Sequence, residues 1–106
     1  MFNSIFSKKE SDLDGKAFKR MFETTNNAEL VDVRTAGEFA SGTIKGARNM
    51  DIMSADFQNQ VKKLDSEKTY FLFCRSGGRS GSAVSMFEKL GLKVYNLTGG
   101  IGAWPA

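Results

Sequence analysis

Histidine is absent from the 106 residues, and cysteine, tryptophan and proline occur once each. Without histidine, Ser-His-Asp and Cys-His catalysis and imidazole-ligated metal sites are excluded from within this chain. The single cysteine, Cys74, likewise excludes an internal disulfide and a thiolate zinc cluster. No metal or other cofactor is called for. It also removes an intramolecular resolving thiol, so a modified Cys74 has to be discharged by an outside acceptor. Long apolar runs are missing too: no stretch approaches a membrane span, and Met1 to Phe6 is too short for a secretory signal, with Lys8 and Lys9 after it instead of before. A cytoplasmic chain with a reduced thiol is the expected setting.

Fifteen basic residues against twelve acidic ones leave a net charge of +3, interspersed and without a basic stripe. Neither nucleic acid nor membrane is therefore an expected partner. The length suits one domain able to bury most of its apolar surface without staples. Residues 1–10 lack periodicity and read as a flexible arm, with the domain over 11–106.

Asp14 is placed to cap a helix over Lys16 to Thr24, where Phe18, Met21 and Phe22 share one face, and Asn26 with Asn27 ends it. Leu30, Val31 and Val33 form a short strand with Asp32 and Arg34 at its C-terminal end. Thr35 and Glu38 then make a capping-box pattern for a short helix carrying Phe39. Gly42 to Asn49 reads as an irregular connection turning at Gly46 and leading to Met50 and Ile52. Ser54 is expected to cap the next helix, with Phe57, Val61 and Leu64 inward and Lys62, Lys63 and Asp65 in water. Thr69 to Phe73 is a buried strand, since four of its five residues are apolar without alternation. The helix that follows places Ala83, Val84, Phe87 and Leu90 inward and stops at Gly91, before a strand over Lys93 to Leu97. Alternating strands and helices imply an α/β domain with a mostly parallel sheet.

Between that buried strand and the helix lies Cys74, followed by Arg75, Ser76, Gly77, Gly78, Arg79 and Ser80. Successive amides of a glycine-rich turn can point at one centre, and the helix behind adds the partial positive charge of its N-terminus. A sulfur placed there favours the thiolate, and nearby cations favour it further. The alternative is a cysteine packed as a small hydrophobe at a strand end. A packing thiol, however, requires neither two arginines nor paired glycines beside it.

These residues, together with Asp32 Val33 Arg34, Glu38 Phe39, Gly42 to Asn49, and Gly99 Gly100 with Trp104, resemble a single-domain rhodanese from about Leu13 to Trp104. The resemblance implies a five-stranded parallel sheet flanked by helices on both faces. It implies that Cys74 accepts a sulfane sulfur as a persulfide, cradled by the loop from Arg75 to Ser80. Thr43 and Lys45 stand where the family usually has His and Pro, for which altered packing is expected and not altered chemistry.

Arg79 reads as a cation facing the anionic substrate or persulfide, against a helix-start side chain in solvent or paired with a carboxylate. Arg75 either joins it or points outward to meet a partner. Gly77 and Gly78 serve backbone geometry. Asp32, Arg34 and Glu38 read as an internal ionic network, because charges near a sheet end persist by pairing. Gly99, Gly100 and Trp104 read as a closing turn and hydrophobic plug, with no room for the helix of a dinucleotide site.

The function expected is sulfur transfer from thiosulfate or a persulfide donor to a thiol, a dithiol protein or cyanide. A sulfur carrier or redox-signalling module without small-molecule turnover is the alternative. Phosphatase or arsenate-reductase chemistry, which the same fold supports, is a lesser one: four residues separate Cys74 from Arg79, where those phosphatases carry five.

Overall fold

The computed structural model describes residues 10–106, so the arm expected over 1–10 lies outside the described residues except for Glu10. Five strands, β1 (Asp12–Leu13), β2 (Ala28–Asp32), β3 (Arg48–Asn49), β4 (Thr69–Phe73) and β5 (Lys93–Leu97), alternate with helices α1 (Gly15–Thr24), α2 (Ala36–Ala40), α3 (Phe57–Lys62) and α4 (Gly78–Lys89). The sheet runs β1-β5-β4-β2-β3 with every pairing parallel. All five residues of β4 are buried, as a strand covered on both faces requires.

One face packs Val31, Tyr70, Leu72 and Val94 against Phe57 and Val61 of α3 and Ala83, Val84 and Phe87 of α4. The other packs Leu30, Phe71, Phe73 and Leu97 against Phe18 of α1 and, more loosely, Trp104. From β2 the chain continues to β3 on one side, and from β4 to β5 on the other. Such a reversal opens a crevice at the carboxyl ends of the two adjacent strands, where ligands of open parallel sheets bind. Cys74 and Arg34 both follow those ends.

Local signals act as expected at several positions. Asp14 accepts from the Ala17 amide at 2.9 Å, and Thr35 and Glu38 complete a reciprocal capping box. Others differ. Ser54 does not cap α3 but accepts from the Asp56 amide at 3.1 Å, which makes a turn ahead of a helix that starts only at Phe57. Leu90 is 47% exposed, because α4 ends at Lys89 and the chain turns away at Gly91. Within the connection read as irregular, Arg48 and Asn49 form the edge strand β3, and Asp12 and Leu13 form the other edge, β1. Two-residue strands carry no periodicity to detect. Among the described residues no helix is long and apolar enough to cross a membrane.

Candidate active site

Strand β4 ends at Phe73, and its direction delivers Cys74, fully buried, to the base of the loop. Gly77 then adopts φ +100°, a left-handed conformation open to glycine, and caps α4. That twist aims the loop inward. The Cys74 Sγ accepts hydrogen bonds from the Gly77 amide at 3.0 Å, the Ser80 amide at 3.4 Å and the Ser80 hydroxyl at 3.3 Å. Burial pushes the thiol's pKa up, but the Ser80 hydroxyl and the amides of Ser80, Gly77 and Ser76 outweigh it and hold the thiol below its ordinary value. Hydrogen bonds to the sulfur therefore favour a thiolate at a buried position.

The two arginines behave differently from one another. Arg75, like Ser76 and Gly78, is exposed. Arg79 makes a bidentate pair with Glu38, at 2.7 and 3.1 Å. Of the two positions weighed for Arg79 in the sequence, pairing with a carboxylate is the one observed. Its charge is favoured chiefly by those hydrogen bonds, and the sulfur of Cys74 adds to it through space. The Arg79 charge thus reaches the sulfur without touching it.

Asp32 and Arg34 form a buried pair at 2.8 Å, and the Arg34 guanidinium also donates to the Gly42 carbonyl. The Thr43 hydroxyl donates to the same Asp32 oxygen, Oδ2, at 2.8 Å, so this departure from the family pattern still supplies a donor to the network. Glu38, expected in the same network, acts on Arg34 through space and pairs directly with Arg79, tying α2 to the start of α4. Sequence reasoning did not connect it to Arg79, since the two are 41 positions apart.

Glu38 has its carboxyl held down at about 2, first by Arg79 and then by the Thr35 amide. A depressed acid stabilises above its unfolded value and loses that stabilisation as pH falls toward its folded one. Glu38→Gln should therefore melt below the wild type at pH 6, with the gap closing between about pH 4.5 and pH 2. Glutamine can still complete a capping box, which isolates the ion pair. Thermal melts across that range check it; a gap independent of pH would assign the loss to the cap.

Two further groups complete the site. Gly100, at φ +74°, lies so close to the loop that a Cβ there would fall 1.9 Å from the Arg75 carbonyl oxygen. The Ile101 amide donates to the Cys74 carbonyl at 2.8 Å. The Gly99–Gly100 turn thus buttresses the loop from behind, beyond closing the domain, and a three-residue 3-10 helix, Ile101–Ala103, follows where no helix was expected to fit. Trp104 does plug the α1 face, edge-on to Phe18 at 6.1 Å and Phe22 at 6.3 Å. Asn96 of β5, which sequence reasoning passed over, is buried and faces Ser80 at 2.5 Å. A polar residue in the inward phase of a central strand was its only signal.

Known proteins resemble this chain in sequence and in fold. The putative sulfurtransferase YtwF of Bacillus subtilis is 35% identical over 88 residues, which is 83% of this chain and 84% of that protein. The thiosulfate sulfurtransferase GlpE of Pseudomonas aeruginosa is 37% identical over 81 residues, spanning 74% of this chain and 71% of that one. Among solved structures, a rhodanese-like domain protein from Staphylococcus aureus matches with a TM-score of 0.77 at 25% identity, covering 90% of this chain and 91% of that one. The family model for the rhodanese-like domain aligns with residues 14–106, from the cap of α1 through the loop to the last residue, and the chain belongs to that family.

Proposed function

We propose that this chain is a sulfurtransferase that carries a sulfane sulfur as a persulfide on Cys74. One observation supports it above the rest: Sγ accepts hydrogen bonds from two amides and a hydroxyl, donors that favour a charged sulfur over a neutral one. With thiosulfate as donor, the thiolate attacks the outer sulfur and the new S–S bond forms as the old one breaks. Sulfite leaves with the bonding pair, and the charge now sits on the terminal sulfur of the persulfide. Cyanide or an acceptor thiolate then attacks that terminal sulfur, and the electron pair returns to Sγ.

In this reading Ser76, Gly77 and Ser80 hold the negative sulfur through both steps, while Gly78 opens the helix behind it. Exposed Arg75 offers a cation to the incoming anion or to a partner protein. Arg79, already engaged by Glu38, contributes charge at a distance. That engagement also weighs against phosphatase chemistry, which needs its arginine turned to the oxyanion.

Intact-mass measurement tests the proposal. Treatment with thiosulfate should add one sulfur atom, located on Cys74, and cyanide or a dithiol should remove it. Loading from a protein persulfide but not from thiosulfate would move the reading to a carrier module. No adduct from either donor, with Cys74 still open to alkylation, would overturn sulfur transfer.

A further inference from the structure

Asn96 sits on the core face of β5, 3% exposed, beside Leu72 in register and in the same layer as Val94. A carboxamide in such a layer is costly unless both of its ends are satisfied. Here both are. Its Nδ2 donates to Asp12 Oδ1 at 3.0 Å, because Asp12 and Asn96 are register partners across the β1–β5 ladder. Its Oδ1 meets the Ser80 hydroxyl at 2.5 Å. An ionised carboxylate only accepts hydrogen bonds, so Asp12 dictates which end of the amide it faces and turns the oxygen toward Ser80.

Ser80 has one hydroxyl proton and three acceptors within reach: Cys74 Sγ at 3.3 Å, the Gly77 carbonyl at 3.2 Å and Asn96 Oδ1 at 2.5 Å. It can serve only one at a time. The short contact to Asn96 competes with the sulfur for that proton. With the amide turned over, its nitrogen would instead donate to Ser80 and release the hydroxyl proton to Sγ.

We propose that Asp12 and Asn96 are positioning residues that, through Ser80, limit how much of the hydroxyl proton reaches Cys74 and so keep its sulfur a stronger nucleophile. A thiolate relieved of one hydrogen bond is more basic and attacks faster once formed. When Cys74 carries a second sulfur, its Sγ is no longer an anion and releases its claim on the proton. Asn96 then takes it, and the hydroxyl stays satisfied in both states. The value of this for turnover rests on the sulfur-transfer reading; the relay itself does not.

The other charges around Cys74 are Arg79 with Glu38 from α4 and α2, Asp32 with Arg34 from the end of β2, and exposed Arg75. All stay constant in the following test. The midpoint for alkylation of Cys74 by iodoacetamide is measured against pH, with no sulfur donor present. In the wild type it should lie below about 8.5, the ordinary value. Asp12→Asn, which no longer dictates the amide's orientation, should lower the midpoint by on the order of half a pH unit. Asn96→Leu, which removes the competing acceptor, should lower it likewise, and Ser80→Ala should raise it. Circular dichroism confirms that each variant is folded.

Removing the Asp12 charge could itself favour the thiolate, and the double variant separates the two effects. Asp12→Asn placed on Ser80→Ala should produce no further shift. An equal shift with and without Ser80, or none in either Asp12→Asn or Asn96→Leu, would overturn the relay. Failure of sulfur loading with these shifts intact would overturn sulfur transfer alone.

Discussion

Cys74→Ser is expected to take up no sulfur from thiosulfate and to lose thiocyanate formation by at least about a thousandfold, while the protein still folds. The substitution exchanges sulfur for oxygen at a fully buried position whose three donors, from Gly77 and Ser80, would serve a hydroxyl as well. Packing therefore changes little, and stability should stay within about 1 kcal/mol of the wild type. The chemistry changes completely. A serine hydroxyl is not ionised near neutrality, and without histidine the chain has no imidazole to activate it. Mass spectrometry, a thiosulfate:cyanide assay and a melting curve together decide the matter. A sulfur adduct on the serine variant, or substantial residual turnover, would show that Cys74 is not the carrier.

Gly100→Ala is expected to be severely damaging although it adds a single methyl outside the hydrophobic core. At φ +74° and ψ −165° the residue occupies a region open essentially to glycine alone. A Cβ there would stand 1.9 Å from the Arg75 carbonyl oxygen and 2.5 Å from the Ser76 amide nitrogen, both of them backbone atoms that no rotamer change can move. Strain and displacement together should cost at least about 3 kcal/mol, or more than about 12 °C in melting temperature for a domain of this size. Because the displaced atoms belong to the loop that follows Cys74, thiol reactivity should fall with stability. Gly102→Ala is the control, since a Cβ at Gly102 meets nothing within 4 Å. If Gly100→Ala melts and alkylates like the control, the turn does not buttress the loop.

Much of this was legible in the sequence where one residue's neighbours decide its state. The apolar run of β4, the Asp14 cap, the Thr35–Glu38 box and the glycine turn after Cys74 are local, and each falls where the pattern places it. What escaped notice depends on pairs far apart in the chain. The Glu38–Arg79 pair spans 41 positions and the Asp12–Asn96 contact 84. Periodicity says which face a residue occupies, not which side chain from another element will meet it there. Leu90 illustrates the converse: its helical phase points inward, yet the helix ends one residue earlier and releases it to solvent. Gly100 could be recognised as a turn residue, but the carbonyl it makes room for could not.

Among the described residues the two outermost strands are two residues long, Asp12–Leu13 at one side and Arg48–Asn49 at the other. An open sheet invites a second copy of itself along its unpaired edge, since the exposed amides and carbonyls form a ready template. Here each template is too short to register another chain, and one of them presents an arginine held in an ion pair with Glu29 at 2.7 Å. The hydrophobic strands β4 and β5 lie inward of these borders. Self-association by strand addition is thereby disfavoured, and concentrated solutions of the folded protein gain resistance to fibrous aggregation from the brevity of its edges.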